Sequence, residues 1–302
     1  MKTSLMVQAL ALTCTLATMT ACSGSGGGES AAAACEIQGS SYGIIQGETL
    51  SSGNLLSKST VMVIHIQDDT HAEICTGTLI DNDKVLTAAH CTSRSSSEKT
   101  LVAFSNSFGC VTKSQANVKQ LARPVVAKEI NTSYSYAQNK SVENATNDLA
   151  VLKFSGGMAK GYSVRPLPAA SYDPATATEI VMSGYGITNE KNEDSGTLRF
   201  TTAKPSRLKK DFYMRGLKKT IQVDKTLIME QPENGVCSGD SGGPLYAKNQ
   251  DGTLTLIGVT SMVADNNAEY SWNAKVCHGV SIFVDVRAQL DWIQRAVQTL
   301  NY

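Results

Sequence analysis

Short apolar runs alternate with polar, turn-forming clusters along most of the chain from Val61 onward. Each run is rich in β-branched and aromatic residues, and none is longer than an ordinary β-strand. Seven such runs predict strands at residues 61–66, 84–87, 101–104, 149–154, 179–182, 253–261 and 280–284. This rhythm favours an all-β barrel or sandwich.

The end of the chain has the period of a helix instead. Apolar residues recur there at three- or four-residue spacing, as Val286, Leu290, Ile293, Val297 and Leu300. The pattern predicts a C-terminal amphipathic helix whose apolar stripe packs on the core.

The first 43 residues differ from the rest. Lys2 precedes a mostly apolar run at residues 4–19 that is too short to span a bilayer, so residues 1–21 are predicted to be a signal peptide. Residues 22–43 then form a linker or propeptide, which begins with a flexible Gly/Ser/Ala-rich stretch. The segment Met19-Thr20-Ala21-Cys22 resembles the lipobox of bacterial lipoproteins.

Two outcomes stay open at this segment. Cys22 is lipidated and ties the protein to a membrane, or ordinary signal cleavage releases a soluble protein. In both cases we expect an exported bacterial protein, either a periplasmic or outer-membrane lipoprotein or a secreted one.

Charge and length narrow the class of partner. The chain has 302 residues, 27 basic and 27 acidic, so its formal net charge is zero. This balance gives no indication of a nucleic-acid partner. The length suits one large domain or two small ones. We expect a monomer without a cofactor.

The eight cysteines are informative about the compartment. Cys14 lies in the predicted signal and Cys22 at its end, which leaves six in the exported part: Cys35, Cys75, Cys91, Cys110, Cys237 and Cys277. Six cysteines in an oxidising compartment predict three disulfides, although spacing alone permits fifteen pairings. No Cys-x-x-Cys pair occurs and histidines are few, so a metal site is not expected.

Residues Gly239-Asp240-Ser241-Gly242-Gly243-Pro244 carry the clearest chemical signal. Glycines around one serine allow a tight loop that presents the hydroxyl beside free backbone amides, which can form an oxyanion hole. A serine hydroxyl is a poor nucleophile until a positioned base accepts its proton, so the hypothesis requires a histidine.

Among the four histidines, His90 has the best setting, because small residues precede it and Cys91 can pin its loop. A buried carboxylate must then hold the imidazole in the correct tautomer. Asp148 meets this need, since it lies at the start of the apolar run Leu149-Ala150-Val151-Leu152.

Three blocks now resemble the signature motifs of trypsin/chymotrypsin-like serine peptidases: Thr87-Ala88-Ala89-His90-Cys91, Asn147-Asp148-Leu149-Ala150 and the segment around Ser241. They occur in the family's order, His then Asp then Ser. The resemblance extends from residue 44 to the C-terminus, through Ile44-Ile45-Gln46-Gly47, Gly184-Tyr185-Gly186 and Asp291-Trp292-Ile293.

The resemblance implies a fold and a division of residues 44–302. The family has two packed six-stranded antiparallel β-barrels and a C-terminal helix, with the catalytic groups in the crevice between the barrels. The barrels are expected at about residues 44–158 and 159–302.

It also implies a role for each matched residue in a serine endopeptidase acting on proteins or peptides. His90 takes the proton from Ser241 and Asp148 orients the imidazole. The amides of Gly239 and Ser241 form the oxyanion hole, and Ser261 hydrogen-bonds the triad aspartate.

The same analogy pairs Cys75 with Cys91, and Cys237 with Cys277. Cys35 and Cys110 then remain. A bridge between them would tie the propeptide to the peptidase domain; otherwise the two are free or paired elsewhere.

The family's zymogen logic assigns activation to a cut before Ile44, which frees an ammonium that pairs with buried Asp240. The preceding Ser41-Tyr42-Gly43 contains no basic residue, so a trypsin-like activator is not indicated. The pocket floor is expected at Gly235, with walls from Val263 and Gly279. An uncharged floor and a β-branched wall predict a preference for small or medium apolar residues before the scissile bond.

Two other functions compete with this assignment. The first is a noncatalytic binding module of the same fold, although such modules normally lack a triad member or an oxyanion glycine. The second is an esterase of another fold, because residues 239–243 also fit Gly-x-Ser-x-Gly; that fold has its histidine last in the chain and βαβ units, which are not seen here.

Overall fold

The computed structural model describes residues 44–302 except residues 46, 51–52, 69–70, 93–98, 139–141, 192–193, 217 and 265–276. The predicted signal peptide, linker, lipid site at Cys22 and Cys35 lie outside the described residues.

The described residues include sixteen strands. They are β1 Glu48–Thr49, β2 Thr60–Ile66, β3 Ala72–Asp81, β4 Lys84–Thr87, β5 Lys99–Ala103, β6 Ala122–Ile130, β7 Ala150–Phe154, β8 Glu179–Gly184, β9 Arg199–Ala203, β10 Leu208–Lys209, β11 Asp211–Met214, β12 Lys219–Gln222, β13 Thr226–Glu230, β14 Pro244–Lys248, β15 Leu254–Ala264 and β16 Val280–Asp285. The described α-helices are α1 Phe108–Thr112, α2 Gln115–Leu121 and α3 Leu290–Thr299. Short 3-10 helices cover Ala89–Cys91, Tyr136–Gln138, Glu143–Asn147, Pro174–Thr176, Pro205–Arg207 and Arg287–Gln289.

The first unit is a closed antiparallel barrel with the strand order β2-β3-β4-β7-β6-β5. Strand β2 is apolar on both faces, and both are buried. Val61 and Val63 pack in the core of the barrel, whereas Met62 and Ile64 point the other way, into the core shared with the second unit. Alternation across the strand therefore fills two cores from one sequence.

The second unit is an eight-stranded sheet with the order β1-β9-β8-β14-β15-β16-β13-β10. Its ladder does not close, and the two-residue strands β1 and β10 form its edges. A side chain spans part of the gap: Asn234 donates to Thr201 Oγ1 at 3.0 Å and to the Thr202 carbonyl at 2.8 Å. The predicted fold is thus confirmed, with one barrel closed by hydrogen-bonded strands and the other open.

Both ends of the described chain cross between the units. Strand β1, near the start, pairs with β9 of the second sheet. Helix α3, at the end, buries Leu290 and Ile293 and contacts β7 of the first barrel. Its last carbonyls are capped there, because Lys153 Nζ donates to the Leu300 carbonyl at 2.6 Å. No helix among the described residues is long and apolar enough to cross a membrane.

Candidate active site

The loop before β14 presents Ser241. Gly239 has φ +100°, and a Cβ there would lie 2.8 Å from the Gly186 Cα; Gly242 has φ +79°, and a Cβ there would lie 2.0 Å from Thr87 Oγ1. Only glycine fits either position without displacing backbone or a buried side chain. The predicted tight loop is therefore present, and the Ser241 side chain is partly exposed.

The loop is fixed against the first barrel through Thr76. Its backbone amide donates to the Ser241 carbonyl at 2.8 Å, and its hydroxyl donates to the Gly239 carbonyl at 2.9 Å. Sequence reasoning missed Thr76; the only signal was its position beside Cys75. Within the described part of the chain, neither the Gly239 amide nor the Ser241 amide donates a hydrogen bond.

His90 lies on the short helix that follows β4, at the mouth of the first barrel. Its Nδ1 is 2.7 Å from Asp148 Oδ2, and its backbone amide donates to Asp148 Oδ1 at 3.0 Å. An ionised carboxylate only accepts hydrogen bonds, so Nδ1 carries the proton and Nε2 is left as an acceptor. The ring remains about a quarter exposed, with 26% relative accessibility.

Asp148 is buried and receives a third hydrogen bond from the second unit. Ser261 Oγ on β15 donates to Asp148 Oδ2 at 2.7 Å. Three donors compensate a carboxylate that burial would otherwise make costly. The structure thus brings together His90, Asp148 and Ser261 as the sequence predicted.

Disulfides hold the base and the pocket. Cys75 is bonded to Cys91, with their Cα atoms 6.0 Å apart, and Cys237 to Cys277, at 5.0 Å. Both predicted pairings are present. Cys91 Sγ also lies 3.6 Å from the Ser241 carbonyl, so the residue after the base touches the backbone of the proposed nucleophile.

Other predicted features of the cysteines have different outcomes. Cys110 is also disulfide-bonded, and its predicted partner Cys35 lies outside the described residues. Cys75, His90 and Cys91 have ligand-type atoms within 4.8 Å of one another. This group cannot offer thiolates to a metal, because its two sulfurs are bonded to each other.

Asp240 lies fully buried behind the nucleophile loop. Its carboxylate accepts from the amides of Gly186 and Cys237, each at 2.8 Å. Burial raises the pKa of this carboxyl to about 7, although the two amides and the charge of Arg199 act in the opposite direction. Among the described residues no cation lies within ion-pair distance of it.

Arg199 is a second buried charge beside this loop, and sequence reasoning missed it. Its Nη1 donates to the carbonyls of Gly186 and Asp194, both at 3.1 Å. Asp194 Oδ2 is 3.7 Å from Nη2. Because Gly186 also donates to Asp240, the guanidinium supports the backbone segment that holds that carboxylate.

Ile44 and Ile45 are docked against this loop in the continuous chain. Ile44 is fully buried and has φ +47°, an outlying conformation for a β-branched residue. The Ile45 amide donates to the Gly235 carbonyl at 3.2 Å. The residues just before Ile44 lie outside the described residues.

Gly235, the predicted pocket floor, is covered by Gln231. A Cβ at Gly235 would lie 2.0 Å from Gln231 Oε1. The side-chain nitrogen Nε2 of Gln231 donates to the carbonyls of Val236 at 2.7 Å and Cys277 at 2.6 Å. Its oxygen accepts from the Val236 amide at 3.0 Å and from the hydroxyl of Ser281.

The structure also locates the predicted walls. Val263 is partly exposed and pairs with Ser281 across β15 and β16. Gly279 lies beside the floor instead, where its carbonyl accepts from the Gln231 amide at 3.0 Å. Ser281 and Gln231 were missed because nothing in their sequence context marks them.

Comparisons with known proteins agree with this geometry. The sequence profile of the family described as Trypsin matches residues 44–293. Ovochymase-2 of Mus musculus is 29% identical over 233 residues, which cover 75% of this chain and 37% of that protein. Trypsin theta of Drosophila erecta is 27% identical over 244 residues, which cover 78% of this chain and 81% of that protein.

A human relative and a solved structure extend the comparison. Chymotrypsin-like elastase family member 3A of Homo sapiens is 27% identical, with 74% of this chain and 78% of that protein covered. The solved structure described as an atomic resolution structure of HBP has a TM-score of 0.57 at 17% identity, and the alignment covers 84% of this chain and 97% of that chain. This last likeness concerns the fold alone.

The matched region contains the loop of Ser241, His90 and the buried Asp148. Its two disulfides are typical of extracellular proteins. The chain therefore belongs to the trypsin family and carries the domain of a serine endopeptidase.

Proposed function

We propose that the protein hydrolyses peptide bonds with Ser241 as nucleophile, His90 as general base and Asp148 as the residue that orients the base. The supporting observation is the hydrogen-bonded chain from Ser261 Oγ through the Asp148 carboxylate to His90 Nδ1, with 2.7 Å at each step. An imidazole held in this way presents Nε2 as the proton acceptor that a serine nucleophile needs.

The reaction then has two halves. Ser241 Oγ attacks the scissile carbonyl carbon while its proton passes to His90 Nε2, and the amides of Gly239 and Ser241 stabilise the oxyanion. Collapse of the intermediate breaks the C–N bond, His90 returns the proton to the leaving amine, and an acyl-enzyme remains. Water repeats the sequence with His90 as base and releases the acid.

The pocket supports a neutral substrate residue. Gly235 brings no charge to the floor, and the polar atoms of Gln231 there are already hydrogen-bonded within the protein. Neither Gly235 nor the walls Val263 and Gly279 would offer a carboxylate to a Lys or Arg side chain, which would lose hydration there without gaining an ion pair from these residues. Together with the β-branched Val263, this floor favours small or medium apolar residues before the scissile bond.

Activation is proposed to follow cleavage before Ile44. The new ammonium would pair with Asp240, whose buried carboxylate has no cation within 4.0 Å among the described residues, although the charge of Arg199 acts on it from further away. The strained backbone of Ile44, which costs about 1–3 kcal/mol, would relax at the same time. Cleavage at this point would thereby affect the pocket that contains Gly235 and Val263. The activating peptidase would be one that does not require a basic residue before the cut.

Export is proposed from the N-terminal sequence, with disulfides as support. A lipid on Cys22 would anchor the enzyme to a bacterial membrane, whereas cleavage nearby would release it. Mass spectrometry of the mature N-terminus distinguishes the two.

The test uses the exported form and a fluorophosphonate probe. We expect stoichiometric labelling of Ser241, loss of labelling and of activity in Ser241→Ala, and normal behaviour of Ser238→Ala, a matched control at an exposed serine of the same loop. A peptide library should show cleavage after small or medium apolar residues. Activity that survives Ser241→Ala would overturn the mechanism, and a clear Arg/Lys preference would overturn the pocket assignment.

The same experiment tests the alternative that the chain is a noncatalytic binding module. If a sample with a confirmed new N-terminus at Ile44 takes up no probe and cleaves no peptide, the chain is a binding module with this fold.

A further inference from the structure

The chain's zero net charge hides one strongly basic segment. Residues 204–225 contain eight basic and two acidic residues, a net charge of +6, so the remaining residues sum to −6. Six lysines of this segment are exposed. These six define the basic surface: Lys204, Lys209, Lys210, Lys218, Lys219 and Lys225.

These lysines lack ion-pair partners. In the part of the chain that the structure describes, none of the six lies within 4.0 Å of a carboxylate, in contrast to Lys248, which is 3.3 Å from Glu179. Ordinary surfaces intersperse the two signs of charge, whereas an unpaired single-sign cluster repels itself and attracts anions. Repulsion among these lysines therefore destabilises the free protein, whereas an anionic ligand would bind them favourably.

The fold holds this surface rigidly. In the β11–β12 hairpin, Phe212, Met214 and Ile221 are buried and pack in one cluster with Ala145. The hairpin's polar residues are consequently held at the surface, and the lysines at its turn and base extend from a fixed platform.

Two of the lysines occupy costly backbone positions. Lys218 has φ +50° and Lys225 has φ +56°, in the left-handed region that glycine or asparagine adopts more easily. The described residues include only one other non-glycine residue with positive φ, Ile44. A lysine at such a position is explained if its ammonium has a function.

The basic surface adjoins the catalytic machinery. Thr146, two residues before Asp148, donates through Oγ1 to the Asp224 carbonyl at 2.7 Å. A cavity of about 690 Å³ lies between the Thr146–Asn147 segment and residues 222–225. An anionic chain bound across the hairpin would thus be led to the loop that positions the base.

We propose that the basic surface captures acidic segments of protein substrates and steers them to the cleft. This inference rests on the proposed function. Lysines act as point charges and do not form the rigid bidentate fork of arginine, so the surface selects for density of negative charge and not for one sequence. The proximity to the Asp148 loop favours a substrate over a partner bound elsewhere.

The experiment compares two protein substrates with the same cleavage sequence, one fused to a Glu/Asp-rich segment and one to a Ser/Gly segment. In the enzyme activated by cleavage before Ile44 we expect kcat/KM for the acidic substrate to be about tenfold higher at about 0.03 M salt, and nearly equal to the other at about 0.3 M. The variant K209Q/K210Q/K218Q/K219Q should lose this advantage. The matched control K99Q/K113Q/K119Q/K160Q removes the same charge from exposed lysines elsewhere and should keep it.

A short neutral peptide and fluorophosphonate labelling separate this inference from the proposed function. If neither activity nor labelling occurs in the wild type, the proposed function fails. If both occur but the acidic substrate has no advantage, or keeps it in the quadruple hairpin variant, the inference is wrong. Binding of sulfated dextran or phosphatidylserine vesicles through the same lysines, without faster cleavage, would likewise overturn it and assign the surface to a polymer or a membrane.

Discussion

The two units of the molecule differ in the groups that surround a buried charge. In the first barrel, the ammonium of Lys84 is buried but lies 2.6 Å from Asp83 and 3.2 Å from Asp81. Burial lowers the pKa of Lys84, yet the two carboxylates outweigh burial and raise it overall. In the second unit, Asp240 is buried and accepts from two backbone amides; the nearest effect of a cation that the structure describes is that of Arg199, which lies beyond ion-pair distance. Lys84 thus has counter-charges beside it, whereas Asp240 has none within ion-pair distance among the described residues.

The contrast matches the tasks of the two units. The closed barrel carries His90 and Asp148, which in the proposed mechanism keep one geometry throughout the reaction. The open sheet carries the nucleophile loop and the pocket, and the proposed cleavage before Ile44 completes it. If activation proceeds as proposed, the buried Asp240 is the feature that would make the second unit depend on that cleavage.

The largest expected effect is a change in the free energy of unfolding with pH, which tests this contrast. In the intact chain with Ser241→Ala, Asp240 has a pKa of about 7 when folded and about 3.9 when unfolded. Between these values the folded state binds more protons, so the free energy of unfolding should fall as pH rises, by about 4 kcal/mol in all. Below this pH window Asp240 does not lower the free energy of unfolding, and above it the lowering stays constant. Urea unfolding from pH 4 to pH 8 measures the slope.

Two comparisons control that measurement. Asp240→Asn should flatten the curve, whereas Asp291→Asn, at an exposed aspartate, should leave it unchanged. Cleavage before Ile44 should also flatten it, because a nearby ammonium favours the ionised carboxyl. A slope that persists in Asp240→Asn would show that another group causes it.

A smaller effect is expected from the neutral polar network of the pocket floor. Gln231→Leu would leave the Val236 amide and two carbonyls unpaired in a buried site. We expect a loss of about 3 kcal/mol in unfolding free energy, together with altered selectivity before the scissile bond. Thermal unfolding and a peptide library report the two effects.

Gln222→Leu, at an exposed glutamine of β12, is the matched control and should change neither property. If Gln231→Leu is as stable as the wild type, the hydrogen bonds of the floor do not contribute to the pocket as we describe.

Strands that are apolar and uninterrupted could be predicted from the sequence. All seven predicted strands overlap observed ones, and residues 84–87 coincide with β4. The longest strand that was missed, β3, contains Glu73, Gly77 and two threonines, so its pattern is not apolar. Pairing with β2 and β4 stabilises it instead. Helices α1 and α2 are too short to show a period, although each is capped by a serine side chain.

The candidate site shows the same difference between features that the sequence pattern marks and features that it does not mark. Local motifs mark the residues proposed as triad and oxyanion loop, and the two predicted disulfides are present. Arg199, Gln231 and Ser281 could not be predicted, since no local motif marks them. Gln231 and Ser281, for example, meet only because β13 pairs with β16.

The smallest expected effect concerns the contact that joins the units. Lys153 Nζ on β7 donates to the Leu300 carbonyl at the end of α3, where a cation also complements the helix dipole. Lys153→Met keeps the aliphatic stem but removes this charge-assisted bond, so we expect a loss of about 1 kcal/mol in unfolding free energy. Lys160→Met, at an exposed lysine, should cost less than half as much. Because the bond caps a helix of the second unit with a residue of the first, hydrogen exchange in α3 should accelerate while exchange inside the first barrel stays unchanged. Equal acceleration in both would mean that the units unfold as one, and the contrast between them would then be confined to charge.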